Sequence, residues 1–263
     1  MRRVIEFPCA SATLVGTLDA AGGATGLLIV SGGNEIRAGA HRGMALLAAK
    51  LAAEGVPVLR YDRRGIGDSS GENREFETTA EDIAAAAQAF RSEAGVSRIV
   101  AFGNCDAASA LAMFHAEAGI DALVVSNPWS GGGGGADDLP QSAAIKARYA
   151  ERLRDPKEWL RLLRGGVNIR NVLSGLAKVA RSGSEDHSLV DRMAQALKAS
   201  GVRVTILLAS GDNTAIAFAD AWAKTKGRPD VALGMLESDS HSFAGAADKA
   251  WLLAKLIAAT RTA

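Results

Sequence analysis

The sequence predicts an α/β fold: a mostly parallel sheet with helices on both faces, carrying a helical cap insertion. Three observations carry this expectation. From residue 25 onward, short apolar runs bounded by glycine alternate with segments of helical periodicity. The rhythm breaks over residues 127–200 and resumes after them. Ahead of the break, one strand-to-helix junction sets a cysteine among small residues, Gly103-Asn104-Cys105-Asp106-Ala107.

Residues 4–8 and 12–18 read as short strands paired in a hairpin. Residues 25–30 are an apolar run ending in Ser31-Gly32-Gly33. Such a run suits a parallel strand, which shows no polar alternation because both its faces are covered. Residues 40–54 place apolar side chains at helical spacing, and Gly55 follows as a stop. A strand over 56–61, a helix over 79–94, a strand over 97–102, a helix over 106–117 and a strand over 121–125 continue the pattern. After the break come a strand over 202–209, a helix over 214–226, a strand over 231–236 and a helix over 246–261. This alternation implies right-handed βαβ crossovers. Residues 1–126 and 201–263 therefore form one core. The segment 127–200 opens with Asn127-Pro128-Trp129 and a glycine run at 131–135, then turns basic and amphipathic. It reads as a cap over the sheet's carboxyl edge, where open α/β sheets bind ligands.

Composition narrows the function. The chain has 263 residues, 48% of them hydrophobic and 22% charged, enough for a sizeable core without disulfide or metal. Its 30 basic and 29 acidic residues leave a formal charge of +1, which gives no bulk attraction to nucleic acid or anionic membrane. A small molecule is the expected partner. The two cysteines, Cys9 and Cys105, form no metal-binding spacing, so neither a metal nor another cofactor is expected. Glu6 and Pro8 interrupt any leader-like apolar stretch, and no apolar run approaches the roughly 18–20 residues that span a bilayer. A cytoplasmic location with reduced thiols is the expectation.

The junction at Cys105 fits the nucleophile elbow, small–x–nucleophile–x–small between a strand and a helix. Small residues are needed because the chain folds back tightly there, and the helix N-terminus favours negative charge on the sulfur. Cys9, in the hairpin, reads as structural. A nucleophile needs a base. Of the four histidines, His41, His115, His187 and His241, only His241 lies in the loop between the last strand and the last helix, where the base follows nucleophile and acid in chain order. Asp212, at the end of the penultimate strand, is placed to accept from the imidazole and fix its tautomer. The stretch Ser126-Asn127 offers no carboxylate at the alternative acid position. Asp239 is near His241 only in sequence. Two backbone N–H groups should hold an oxyanion: that of Asp106, and one from Gly33 or Asn34 in the loop after the third strand. The loop 60–71 has Gly65 and Gly67, but Ser70 stands where a dinucleotide fingerprint needs glycine, so it reads as scaffold.

Taken together, the Asp62-Arg63-Arg64-Gly65-x-Gly67-x-Ser69 loop, the elbow, the Gly211-Asp212 turn and the late histidine resemble the α/β-hydrolase superfamily over nearly the whole chain. Within it, residues 32–42, residues 103–109 and Asn127-Pro128-Trp129 resemble the type 1 exosortase A system-associated hydrolases. Asn34 stands where that family usually has proline. The resemblance implies an α/β-hydrolase fold, with Arg37, His41, Arg42 and Trp129 as substrate-binding candidates, the three basic residues receiving an anionic group. A helix-capping and packing role for those three is the competing reading. The expected chemistry is acyl transfer through Cys105, His241 and Asp212, on an ester, thioester or similar activated acyl group. The alternatives are an acyltransferase using the same residues and a non-catalytic small-molecule-binding protein on the same fold.

Overall fold

The structure, a computed structural model, describes residues 1–131 and 189–263. Its strands form one eight-stranded sheet in the order β1-β2-β4-β3-β5-β6-β7-β8. β1 (Arg2–Cys9) and β2 (Ala12–Asp19) make the antiparallel hairpin, and β2 also pairs antiparallel with β4 (Val58–Tyr61). All the remaining pairs are parallel: β3 (Thr25–Val30) joins β4 and β5 (Arg98–Asn104), then β6 (Ala122–Ser126), β7 (Arg203–Ala209) and β8 (Ala232–Leu236) follow in turn. The expected α/β-hydrolase architecture is present.

The period-2 geometry of strands divides the core into two layers. Leu27 and Ile29 of β3 pack with α1 (Gly43–Ala53) and α6 (Ala246–Thr262) on one face. Leu28 and Val30 pack on the other with α2 (Ala80–Ala94), α3 (Asp106–Phe114) and α5 (Asn213–Lys224). Both layers meet at β5, whose Val100 and Phe102 face one and whose Ile99 and Ala101 face the other.

Two details depart from the sequence reading. The first core helix starts at Gly43 rather than residue 40, because His41 (φ 50°) and Arg42 (φ 60°) are left-handed and interrupt it. Residues 189–200, assigned to the insertion on sequence grounds, form a helix (α4) whose Leu189, Val190, Met193, Ala194 and Leu197 are buried in the main core. Its apolar stripe faces the sheet, so this end of the proposed insertion boundary moves to before residue 189. The remainder, 132–188, lies outside the described residues, as does His187. Among the described residues no helix is long and apolar enough to cross a membrane.

The loop after β4 is scaffold, built on one buried carboxylate. Asp62 is fully buried; it accepts from the Arg37 guanidinium and backbone N–H (2.6 Å) and from the Asp68 N–H (3.1 Å). Gly67 (φ 56°) is obligatory, since a Cβ there would collide with the Asp62 carboxylate. Replacing Asp62 by Ala leaves Arg37 with only the exposed Asp68 carboxylate, takes the acceptor from the Arg37 and Asp68 N–H groups, and should cost about 3 kcal/mol. Urea unfolding of the variant checks this; an unchanged midpoint would remove Asp62 from the scaffold.

Candidate active site

The chain reverses sharply between β5 and α3, and Cys105 sits at the bend with φ 60° and ψ −126°. A non-glycine residue there stores about 1–3 kcal/mol of backbone strain and persists only when its surroundings over-determine it. They do. The Cys105 N–H donates to the Ser126 carbonyl (3.0 Å), and the Cys105 carbonyl accepts from the N–H groups of Ala108 (3.1 Å) and Trp129 (3.1 Å). The glycine of the motif has its steric reason as well: a Cβ on Gly103 would lie 2.9 Å from the Ala107 carbonyl carbon and oxygen. Cys105 is partly exposed at the N-terminus of α3. Cys9 is buried; burial first, then the Asp82 carboxylate, push its thiol up to about 11. That leaves it inert at neutral pH.

His241 is hydrogen-bonded to Asp212, Nδ1 to Oδ2 at 3.0 Å, and lies close enough to the Cys105 side chain for the two to interact electrostatically. Burial works to lower its pKa, but the hydrogen bonds and charges of Asp212 and Cys105 outweigh it and raise the value to about 10. Asp212 also caps α5, accepting from the Ala215 N–H at 2.9 Å, so its orientation is fixed independently of the imidazole. Asp239 is not at the ring's Nδ1; its carboxylate lies against the α-carbon of Gly211. His115 is buried in packing, its Nε2 2.7 Å from the Ser200 hydroxyl, and desolvation lowers its pKa.

The oxyanion candidates separate by their partners. The Gly33 N–H donates to both oxygens of the Asp106 carboxylate, at 2.8 and 2.9 Å. Among the described residues, the N–H groups of Asn34 and Asp106 have no partner. Trp129 reaches the site through its backbone, donating to Cys105 and accepting from the Ser109 hydroxyl at 2.6 Å. The basic candidates are placed differently. Arg37 is committed to Asp62, Asp68 (2.8 Å) and Thr17 (3.0 Å), and His41 and Arg42 are exposed. Arg37 and Arg42 line a separate pocket of about 400 Å³ that includes none of Cys105, His241 or Asp212. None of these three basic residues is hydrogen-bonded or ion-paired to Cys105, His241 or Asp212.

Two residues escaped the sequence reading. Asn127 is fully buried and left-handed (φ 41°); its amide donates to the His241 carbonyl (2.9 Å) and accepts from the Ala209 N–H (2.9 Å). It ties the ends of β6 and β7 to the histidine loop. An asparagine directly after a buried strand is its only signal, since asparagine tolerates that conformation. Arg63 is the other; it is buried and donates to the Gly33 carbonyl. Among the described residues no group of three His, Cys, Asp or Glu side chains could hold a metal ion.

Comparison with known proteins agrees with this architecture. The model of the alpha/beta hydrolase family matches residues 27–252. No curated protein matches the chain. Among solved structures, DcsB in complex with its substrate analogue is similar at 15% identity, covering 100% of this chain and 99% of its own, with a TM-score of 0.64. The alpha/beta hydrolase GrgF from Penicillium sp. sh18 gives 16% identity, 100% and 98% coverage and a TM-score of 0.64. The Pyrococcus furiosus esterase Pf2001 gives 16% identity, 99% and 93% coverage and a TM-score of 0.62. At these identities the structures speak for the fold alone. The family model spans most of the chain, and the chain belongs to the alpha/beta hydrolase family.

Proposed function

We propose that this chain is a hydrolase of esters, thioesters or similarly activated acyl groups, working through a Cys105 acyl-enzyme. The single observation that carries the reading is the His241–Asp212 hydrogen bond, 3.0 Å, set beside Cys105 at the strained elbow. In the proposed reaction the Cys105 sulfur adds to the substrate carbonyl carbon, and the C=O π pair moves to oxygen, where backbone N–H groups hold it. The intermediate collapses with loss of the alkoxide or thiolate, which takes the His241 proton. His241, now neutral, deprotonates water; hydroxide adds to the thioester carbonyl, and Cys105 leaves as the thiolate. Asp212 keeps Nδ1 protonated throughout, so Nε2 handles each proton.

Thiolate is a better leaving group than an amide nitrogen, so the first tetrahedral intermediate partitions forward only when the substrate's leaving group is comparably good. Esters, thioesters and lactones qualify. The resemblance to the type 1 exosortase A system-associated hydrolases, carried by residues 32–42, 103–109 and 127–129, is compatible with this substrate class.

A panel of p-nitrophenyl esters and acyl thioesters of graded chain length tests the reading. Cys105→Ala should lower kcat by roughly 10⁴-fold or more on the best substrate, as loss of a nucleophile does. Mass spectrometry should place the trapped acyl group on Cys105, and a Cys105→Ala protein that retains wild-type turnover rules the acyl-enzyme out.

The raised His241 pKa makes a second prediction. Because the folded value of about 10 exceeds that of free histidine, the ion-paired state contributes its full stability below about pH 6.5 and loses it as pH rises through about 10. NMR titration of the ring should give a midpoint near 10 in the wild type. The midpoint should fall in both Cys105→Ala and Asp212→Asn. A wild-type midpoint at the free-histidine value would mean that no imidazolium rests beside the sulfur.

A further inference from the structure

Arg63 is 3% exposed, its Nε has no hydrogen-bond partner, and it forms no ion pair among the described residues. A buried guanidinium without a carboxylate is costly and needs a reason. Its one hydrogen bond goes to the Gly33 carbonyl. That carbonyl belongs to the same peptide unit as the Asn34 N–H.

The loop is a four-residue turn, closed by the Glu35 N–H donating to the Gly32 carbonyl at 2.9 Å, with Gly33 at φ 51°. In such turns the central peptide is the unit that can flip, and the common turn types differ by that flip. Here the central peptide is Gly33–Asn34. A trans peptide points its C=O and N–H in opposite directions. Fixing the Gly33 carbonyl on Arg63 therefore fixes the direction of the Asn34 N–H, on the side away from Arg63. The bond is charge-assisted, so it also polarises the amide and strengthens the N–H as a donor. The competing donor is removed in the same arrangement, because the Gly33 N–H is held by both oxygens of Asp106. Asn34 itself is steadied by the Asn73 amide, which donates to its side-chain oxygen at 3.0 Å.

We infer that Arg63 is a positioning residue that orients the Gly33–Asn34 peptide, making the Asn34 N–H the second oxyanion donor beside that of Asp106. This rests on the acyl-enzyme reading above. Arg63 touches no substrate; it acts through the backbone of residue 34.

Two reactions of one sulfur separate this role from a merely structural one. Acylation of Cys105 by a p-nitrophenyl ester passes through an oxyanion, whereas alkylation by iodoacetamide displaces iodide and forms none. Stopped-flow acylation should slow in Arg63→Met by up to the roughly 100-fold that loss of one oxyanion donor costs, while alkylation keeps its wild-type rate. Arg63→Lys, which retains a cation, should recover part of the loss. Asn34→Pro, which deletes the N–H along with the side-chain contact to Asn73, should slow acylation as much as Arg63→Met. Asn34→Ala, which loses that contact but keeps the N–H, should acylate at the wild-type rate. Equal loss of both reactions in Arg63→Met, or wild-type acylation in Asn34→Pro, overturns the inference. A wild-type protein that is alkylated but never acylated would instead sink the acyl-enzyme itself, and this role with it.

Discussion

The backbone reversal at Cys105 is the constraint on which the rest of the site depends. A residue with a Cβ is held at φ 60° and ψ −126° where the central strand meets its helix. That conformation lifts the sulfur out of the sheet and sets it at the positive end of α3. It survives because the neighbouring strand supplies the acceptor for its N–H and the segment after that strand supplies a donor for its carbonyl, Ser126 and Trp129 respectively. Remove either clamp and the strained peptide has a downhill route to relax. The same reversal dictates the small residues around it, since the helix returns within contact of Gly103.

Around this fixed point the other groups are delivered by loops, each pinned at more than one place. The histidine loop is pinned by Asn127, which also holds the end of β7. The loop after β3 is pinned by two opposite charges, the Asp106 carboxylate on one Gly33 group and the Arg63 guanidinium on the other. Its continuation is pinned by Asp62 through the backbone and side chain of Arg37. The buried members of these pairs, Asp62, Arg63 and Asn127, would be expensive if unpaired, so their pairing makes the loop positions strongly determined.

What could be read in the sequence follows from what is local. The elbow, the strand and helix alternation and the chain order of Cys105, Asp212 and His241 are written in short stretches, because sterics and periodicity act over a few residues. Arg63 and Asn127 were not legible, because their partners lie 30 and 114 positions away. Arg37 shows the converse. A basic residue beside a glycine-rich loop invites an anion-binding role, yet its guanidinium is spent on Asp62, a contact that no local pattern announces. Residues 189–200 were misassigned to the insertion for a related reason. Their apolar stripe is the same whether the helix covers a cap or a sheet, and only tertiary packing decides.

Asp212 shows how the fold gives the proposed chemistry its precision. Its Oδ2 accepts from both the Ala215 N–H and His241 Nδ1, so one oxygen serves helix capping and imidazole orientation together. A carboxylate free to rotate would hold the ring in a range of positions. One locked to the first turn of α5 holds it in a single position, and the strained bend holds Cys105 in place. The helix that starts at Asp212 and the helix that starts after Cys105 pack on the same face of the sheet, in one hydrophobic layer that contains Ala215, Phe218, Ala108 and Leu111. The distance between Asp212 and Cys105 is thus set by core packing, which is stiffer than the loop carrying His241. The histidine has to be placed only between two anchors that cannot drift apart.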